Sequence, residues 1–155
     1  MRMFTALIIS LIACSHANAS DFRWTTGFTM GTVEAIIRNE NDSSVNIYCP
    51  SGQIDTTPGM FIEVSKVRPK SHEEIAVQVI VDGKNYPFYL DEIQFKASGR
   101  ARFQSLYSLI DALASARDAS FIVEFPKFGM AERFSLLDAK KALASAREFL
   151  ESCGS

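Results

Sequence analysis

Ile75-Ala76-Val77-Gln78-Val79-Ile80-Val81-Asp82-Gly83-Lys84-Asn85-Tyr86-Pro87-Phe88 is the stretch that decides the fold class of this chain. Ile75, Val77, Val79 and Val81 occupy every second position, the pattern of a strand with one face in a core. Asp82-Gly83 follows at once. Both residues tolerate the positive φ that a type I′ turn requires, so the spacing predicts a two-residue β-hairpin. Tyr86 to Leu90 forms the returning strand, and Pro87, which has no N–H to donate, pushes that strand toward a sheet edge. Ile93, Phe95 and Ala97 continue the alternation.

The same period extends toward the N-terminus. Phe22 to Phe28 reads as an aromatic, Thr-rich edge strand that packs Trp24. Val33 to Arg38 and Val45 to Cys49 read as strands on either side of a polar turn, Asn39 to Ser44. Pro50 to Gly59 is a loop, Met60 to Val67 a further strand, and Arg68-Pro69-Lys70-Ser71-His72 a break. After Ala97 the period changes. Phe103, Leu106, Tyr107, Ile110, Leu113 and Ala114 lie on one helical face, which predicts a helix over 103–117. Phe121, Val123 and Phe125 restore the strand period. Pro126 to Gly129 turns the chain, and Ala131 to Leu137 returns. Asp138 is the expected N-cap of a last helix whose stripe is Ala142, Leu143, Ala146, Phe149, Leu150 and Cys153, with Gly154 as its stop. The expected class is α+β: an antiparallel β-sheet or sandwich of about seven to nine strands. Two helices pack on it, one internal and one C-terminal.

The chain has 155 residues, 47% hydrophobic and 22% charged, which suits one globular domain with a real core. Its net charge of −2 argues against nucleic acid as a partner, since nucleic-acid binders carry a basic excess.

The first nineteen residues read as a leader rather than as part of that domain. Met1-Arg2-Met3 is a short basic start, Phe4 to Ala13 is apolar apart from Thr5 and Ser10, and Ala17-Asn18-Ala19 places small residues where a signal peptidase needs them. Cleavage is expected between Ala19 and Ser20, leaving 20–155 as the domain. The apolar run falls short of the roughly 20 residues of a spanning helix, so no membrane span is expected. Leu11-Ile12-Ala13-Cys14 also has the form of a bacterial lipobox, and the alternative is a lipoprotein anchored through Cys14.

Export places the remaining cysteines, Cys49 and Cys153, in an oxidising compartment, where an even pair is expected to form a disulfide. That bond would staple the last helix to the sheet.

The chemistry of the domain is sparse. Past the leader, His72 is the one histidine, and it sits in a Pro/Lys/Ser/Glu loop suited to solvent. A nucleophile needs a base beside it, and zinc needs three or four N, S or O ligands. Neither a catalytic triad nor a metal site is expected. Dinucleotide and phosphate-binding loops do not occur in the sequence, so no cofactor is expected. Glu73-Glu74 reads as a solvated loop and Asp91-Glu92 as a strand junction, although a pair of carboxylates distant in sequence remains the basis of a hydrolase alternative. Recognition has better candidates. Arg100 and Arg102 present two cations ahead of the first helix, suited to an anion or an acidic partner. Lys127 and Phe128 lie at a hairpin tip, where Phe128 either anchors a protein partner or turns into the core.

Val81-Asp82-Gly83-Lys84-Asn85-Tyr86-Pro87-Phe88, Leu109-Ile110-Asp111-Ala112-Leu113, Phe121-Ile122-Val123-Glu124-Phe125, Phe134-Ser135-Leu136 and Ala139-Lys140-Lys141-Ala142-Leu143 succeed one another in an order that resembles the small exported proteobacterial proteins of the invasion-associated locus B type. The likeness covers roughly the last half of the domain. It implies a β-sandwich-like, non-enzymatic periplasmic protein with a role in host association, and it carries over no functional residue. The chain departs from that family in having fewer cysteines.

The function expected from the sequence is therefore an exported, non-enzymatic periplasmic or secreted protein that acts by protein–protein binding, of the inhibitor, immunity or host-association kind. The alternatives are a lipid-anchored accessory subunit of an envelope secretion or conjugation assembly, and a carboxylate-based envelope hydrolase.

Overall fold

A computed structural model describes residues 22–51, 57–144 and 146–151. The leader with Ala19, Ser20 and Cys14, residues 52–56 of the 50–59 loop, Cys153 and Gly154 lie outside the described residues. Nine strands form one antiparallel sheet: β1 (Thr25–Thr29), β2 (Thr32–Arg38), β3 (Ser44–Pro50), β4 (Gly59–Glu63), β5 (Glu74–Val81), β6 (Lys84–Asp91), β7 (Gln94–Lys96), β8 (Ser120–Phe125) and β9 (Met130–Ser135). Their order across the sheet is β1-β2-β3-β4-β7-β6-β5-β8-β9. The internal helix is α1 (Arg100–Ser115). The C-terminal helix comes as two short pieces, α2 (Ala139–Leu143) and α3 (Ala146–Glu151). The class is α+β, as the alternation and the change of period imply.

The β5–β6 hairpin is the centre of the sheet. Asp82 and Gly83 both adopt positive φ, 48° and 73°, and Val81 pairs with Lys84 across the turn. This fixes Ile75, Val77, Val79 and Val81 on the core side, each 2% exposed or less. A one-residue slip would turn all four outward, so burial and turn chemistry specify the same register. Val45, Ile47 and Cys49 of β3 share that side, as do Phe121, Val123 and Phe125 of β8, and α1 adds Leu106, Leu109, Ile110 and Leu113. Burying each large apolar side chain contributes about 1.5–3 kcal/mol before entropy is counted.

The far ends of the sheet curl back toward each other. The N–H of Trp24 donates to the Leu137 carbonyl at 2.9 Å, and its indole Nε1 donates to the Ser135 carbonyl at 3.2 Å. Asn39 Nδ2 and Asn41 Nδ2 donate to Glu132 Oε2 at 2.8 and 2.9 Å. Glu132 is only 5% exposed, and these two amide donors offset the cost of burying its carboxylate. Asn39 Oδ1 in turn accepts the N–H groups of Asn41 and Ser43 at 3.0 Å each, which shapes the β2–β3 turn.

Several sequence expectations are corrected. α1 starts at Arg100, not 103, because Gly99 at φ 81° makes the entry turn and its carbonyl accepts the Phe103 N–H at 3.0 Å. Arg100 and Arg102 therefore belong to the first turn of α1 rather than to a loop before it. That turn overhangs the core, so Phe103 is 38% exposed and Leu109 takes its place on the buried stripe. Asp138 holds the N-cap position of α2, as expected, but not as a side-chain cap. It lies in the left-handed region and makes no capping hydrogen bond; its carboxylate pairs with Arg23 Nη1 at 3.2 Å. The last helix breaks at Ala144, at φ 50° and ψ −87°, while Ala142, Leu143, Phe149 and Leu150 stay buried on both sides of the break. β4 ends at Glu63 and β9 spans 130–135, both shorter than the apolar runs suggest. Pro87 sits on a strand that is interior in the sheet order, between β5 and β7. β7 pairs with β6 only at Asp91↔Gln94, however, so at Pro87 the strand has a free edge.

Candidate functional site

The residues nominated from sequence fall into three settings. Lys127 and Phe128 lie on a 3-10 turn between β8 and β9, Pro126–Phe128. Lys127 Nζ is bonded to Glu73 Oε1. That contact, then the Lys70 N–H bonded to Glu73 Oε2 at 2.7 Å, holds the Glu73 carboxyl below the usual carboxylate range. The neighbouring Glu92 Oε1 accepts the His72 N–H at 2.9 Å, and the Glu92 N–H donates to the Glu73 carbonyl at 2.8 Å. Phe128 is half-buried and packs against the core. These residues tie three loops together at one end of the sheet. Glu73 is bound into this cluster rather than merely solvated.

Arg100 and Arg102 lie on the exposed first turn of α1. Arg102 Nη2 donates to the Tyr89 carbonyl at 3.3 Å, and its guanidinium lies 4.6 Å from the centre of the Phe95 ring, a cation–π distance. Between α1 and β6 runs a groove of about 400 Å³. Lys84, Tyr86 and Phe88 line it from the strand, and Ala101, Gln104 and Ser105 from the helix.

Cys49 is fully buried on the core side of β3, opposite Val33. Among the described residues no group of three or more His, Cys, Asp or Glu side chains is placed to hold a metal ion. No described helix is long and apolar enough to cross a membrane.

Sequence reasoning passed over the surface that stands out most in the structure. Strand β1 is exposed along its whole length and, among the described residues, pairs only with β2. Phe28 is 69% exposed and Met30 98%. Met30-Gly31 is the β1–β2 turn, with φ 50° and 77°, and Thr29 pairs with Thr32 across it. A Met side chain in the left-handed region is strained, and here it projects into water. The signal was present in the sequence as an apolar residue directly before Gly in a two-residue connection, a position that favours Asn, Asp or Gly.

No curated protein and no solved structure matches the chain. A family model does match over residues 22–143, a span that holds all nine strands, α1 and α2, and the chain belongs to the YfjT family.

Proposed function

We propose that this protein is exported to the bacterial envelope and acts there, without catalysis, by binding a protein partner through its surface, in the manner of an inhibitor, immunity or host-association protein. One observation carries the reading: an edge strand open on one side ends in Phe28 and Met30, 69% and 98% exposed. Uncovered strand edges and adjacent apolar side chains are the means by which sheets recruit other chains. β1 has none of the charges, prolines or bulges that normally block such pairing. The leader pattern and the resemblance to exported invasion-associated proteins support the location. The Cys49–Cys153 disulfide belongs to the same reading. Cys49 is sealed in the core, and α3 presents Phe149 and Leu150 to the core just before Cys153.

The test is a photo-crosslinking residue placed at Met30 and, as a control, at the exposed Lys66, in the full chain expressed in its native cells. A discrete protein adduct from position 30 alone is expected, together with a mature N-terminus at Ser20. Equal labelling from both positions, or uncut cytosolic chain, refutes the proposal.

A further inference from the structure

β6 carries an unpaired edge within the sheet. All of β6 is in register with β5; with the two-residue Asp82-Gly83 turn the ladder bonds alternate, so Lys84, Tyr86, Phe88 and Leu90 bond to β5 and the backbone groups of Asn85, Pro87 and Tyr89 point to the other side. On that side β7 joins only at Asp91. Pro87 is tolerated there because no ladder bond is demanded of it. Among the described residues the Asn85 and Tyr89 N–H groups and the Asn85 and Pro87 carbonyls along this edge have no strand partner; the Tyr89 carbonyl is taken by Arg102. The edge opens on the groove of about 400 Å³ beneath α1, where Ala101 and Ser105 keep the helix wall low. Among the described residues the lining holds the cation Lys84 and no carboxylate. Arg102 and the exposed Arg100 stand at the opposite end, about 16 Å away at ~3.3 Å per strand residue.

We propose that this groove takes an acidic, extended segment of a protein partner as an added strand. Main-chain bonds to Asn85, Pro87 and Tyr89 supply the docking, alternate small side chains face Ala101 and Ser105, and carboxylates at the two ends meet Lys84 and Arg100. Charge chooses the occupant, since cations flank an acid-free groove in a protein of net charge −2. An acidic strand is attracted there while remaining like-charged with the rest of the molecule. The groove is a different surface from the β1–β2 hairpin, so either can fail without the other.

The test uses the full oxidised chain and a short fluorescein-labelled peptide alternating glutamate and valine. Anisotropy should show it binding at least about tenfold tighter than the lysine–valine counterpart. Methylating alternate backbone nitrogens of the glutamate peptide should weaken it by a similar factor, about tenfold, because the charges remain and the strand bonds go. Amide NMR shifts should concentrate at Asn85 and Tyr89. Lys84→Glu should weaken binding, and Ser105→Trp, at an exposed helix position that tolerates the change, should abolish it with the melting temperature unaltered. Equal affinity for both peptides, indifference to backbone methylation, or shifts centred on Thr26 and Phe28 would overturn the assignment.

Discussion

Two hairpins in this molecule are built on the same turn and use it in opposite ways. At β5–β6 the turn residues are Asp82 and Gly83, at φ 48° and 73°; at β1–β2 they are Met30 and Gly31, at 50° and 77°. Asp82 serves the fold. Its carboxylate accepts the N–H of Asp118 at 3.0 Å and that of Arg117 at 3.0–3.1 Å, fastening the segment that leaves α1. Met30 has a side chain that is 98% exposed. Both pay the left-handed backbone penalty, but only the aspartate suits it chemically and returns hydrogen bonds to the structure. A turn that breaks local chemistry with no gain to the fold is where an exterior role is to be sought.

The sharpest way to break this comparison is to make one substitution in both hairpins. Val79, 1% exposed, faces Tyr86 on one side and Val123 on the other. Val79→Asp buries a carboxylate with no partner and should cost more than about 4 kcal/mol, enough to unfold the domain in urea titrations. Phe28→Asp should stay within about 0.5 kcal/mol of the parent. A large loss at Phe28 would mean that β1 is a structural element whose exposure has been misread.

The contrast also explains what was legible in the sequence. β5, β6 and β8 could be read because burial, period and turn residues agree there. α1 could be read from its stripe, but its start could not: Gly99 sets the boundary by backbone geometry, while the apolar pattern begins only where the core does. The break at Ala144 was invisible because both halves of the last helix bury their share of one continuous stripe. The Glu132 clasp joins residues more than ninety positions apart, and no local pattern announces it. Of the nominated site residues, Lys127, Phe128 and Arg102 are engaged by the fold, through Glu73, the core and the Tyr89 carbonyl, whereas Arg100 is exposed on the first turn of α1, next to a groove whose other wall, β6, reads in the sequence as a simple hairpin arm.

A second prediction sharpens the role of Asp82. Its carboxyl is held below the usual range by the Asp118 N–H first and the Arg117 N–H next, with the Arg117 guanidinium adding to them. A folded-state value below the unfolded one makes the contribution complete above the unfolded pKa, and it is lost as pH falls through the folded value. Glu73, lowered chiefly by Lys127, acts in the same direction. The melting temperature should therefore drop on acidification across and below the ordinary carboxylate range. Asp82→Asn should start from a lower plateau at neutral pH and show a shallower acid slope. An unchanged slope would show that the loop after α1 is held by something other than this carboxylate.

The same replacement at the other turn should do the reverse. Asn is well suited to the first position of a type I′ turn, and Met is not. Met30→Asn should therefore raise stability by about 0.5 kcal/mol, read as a small increase in the urea midpoint at constant m-value. It also removes the most exposed apolar side chain on the edge strand, so capture of the partner by a crosslinker at Phe28 should fall while the fold gains. Stability and binding moving in opposite directions would separate Met30 from Asp82 more firmly than either measurement alone, because a residue that merely tolerates its turn has no reason to weaken an interaction when replaced by a better one.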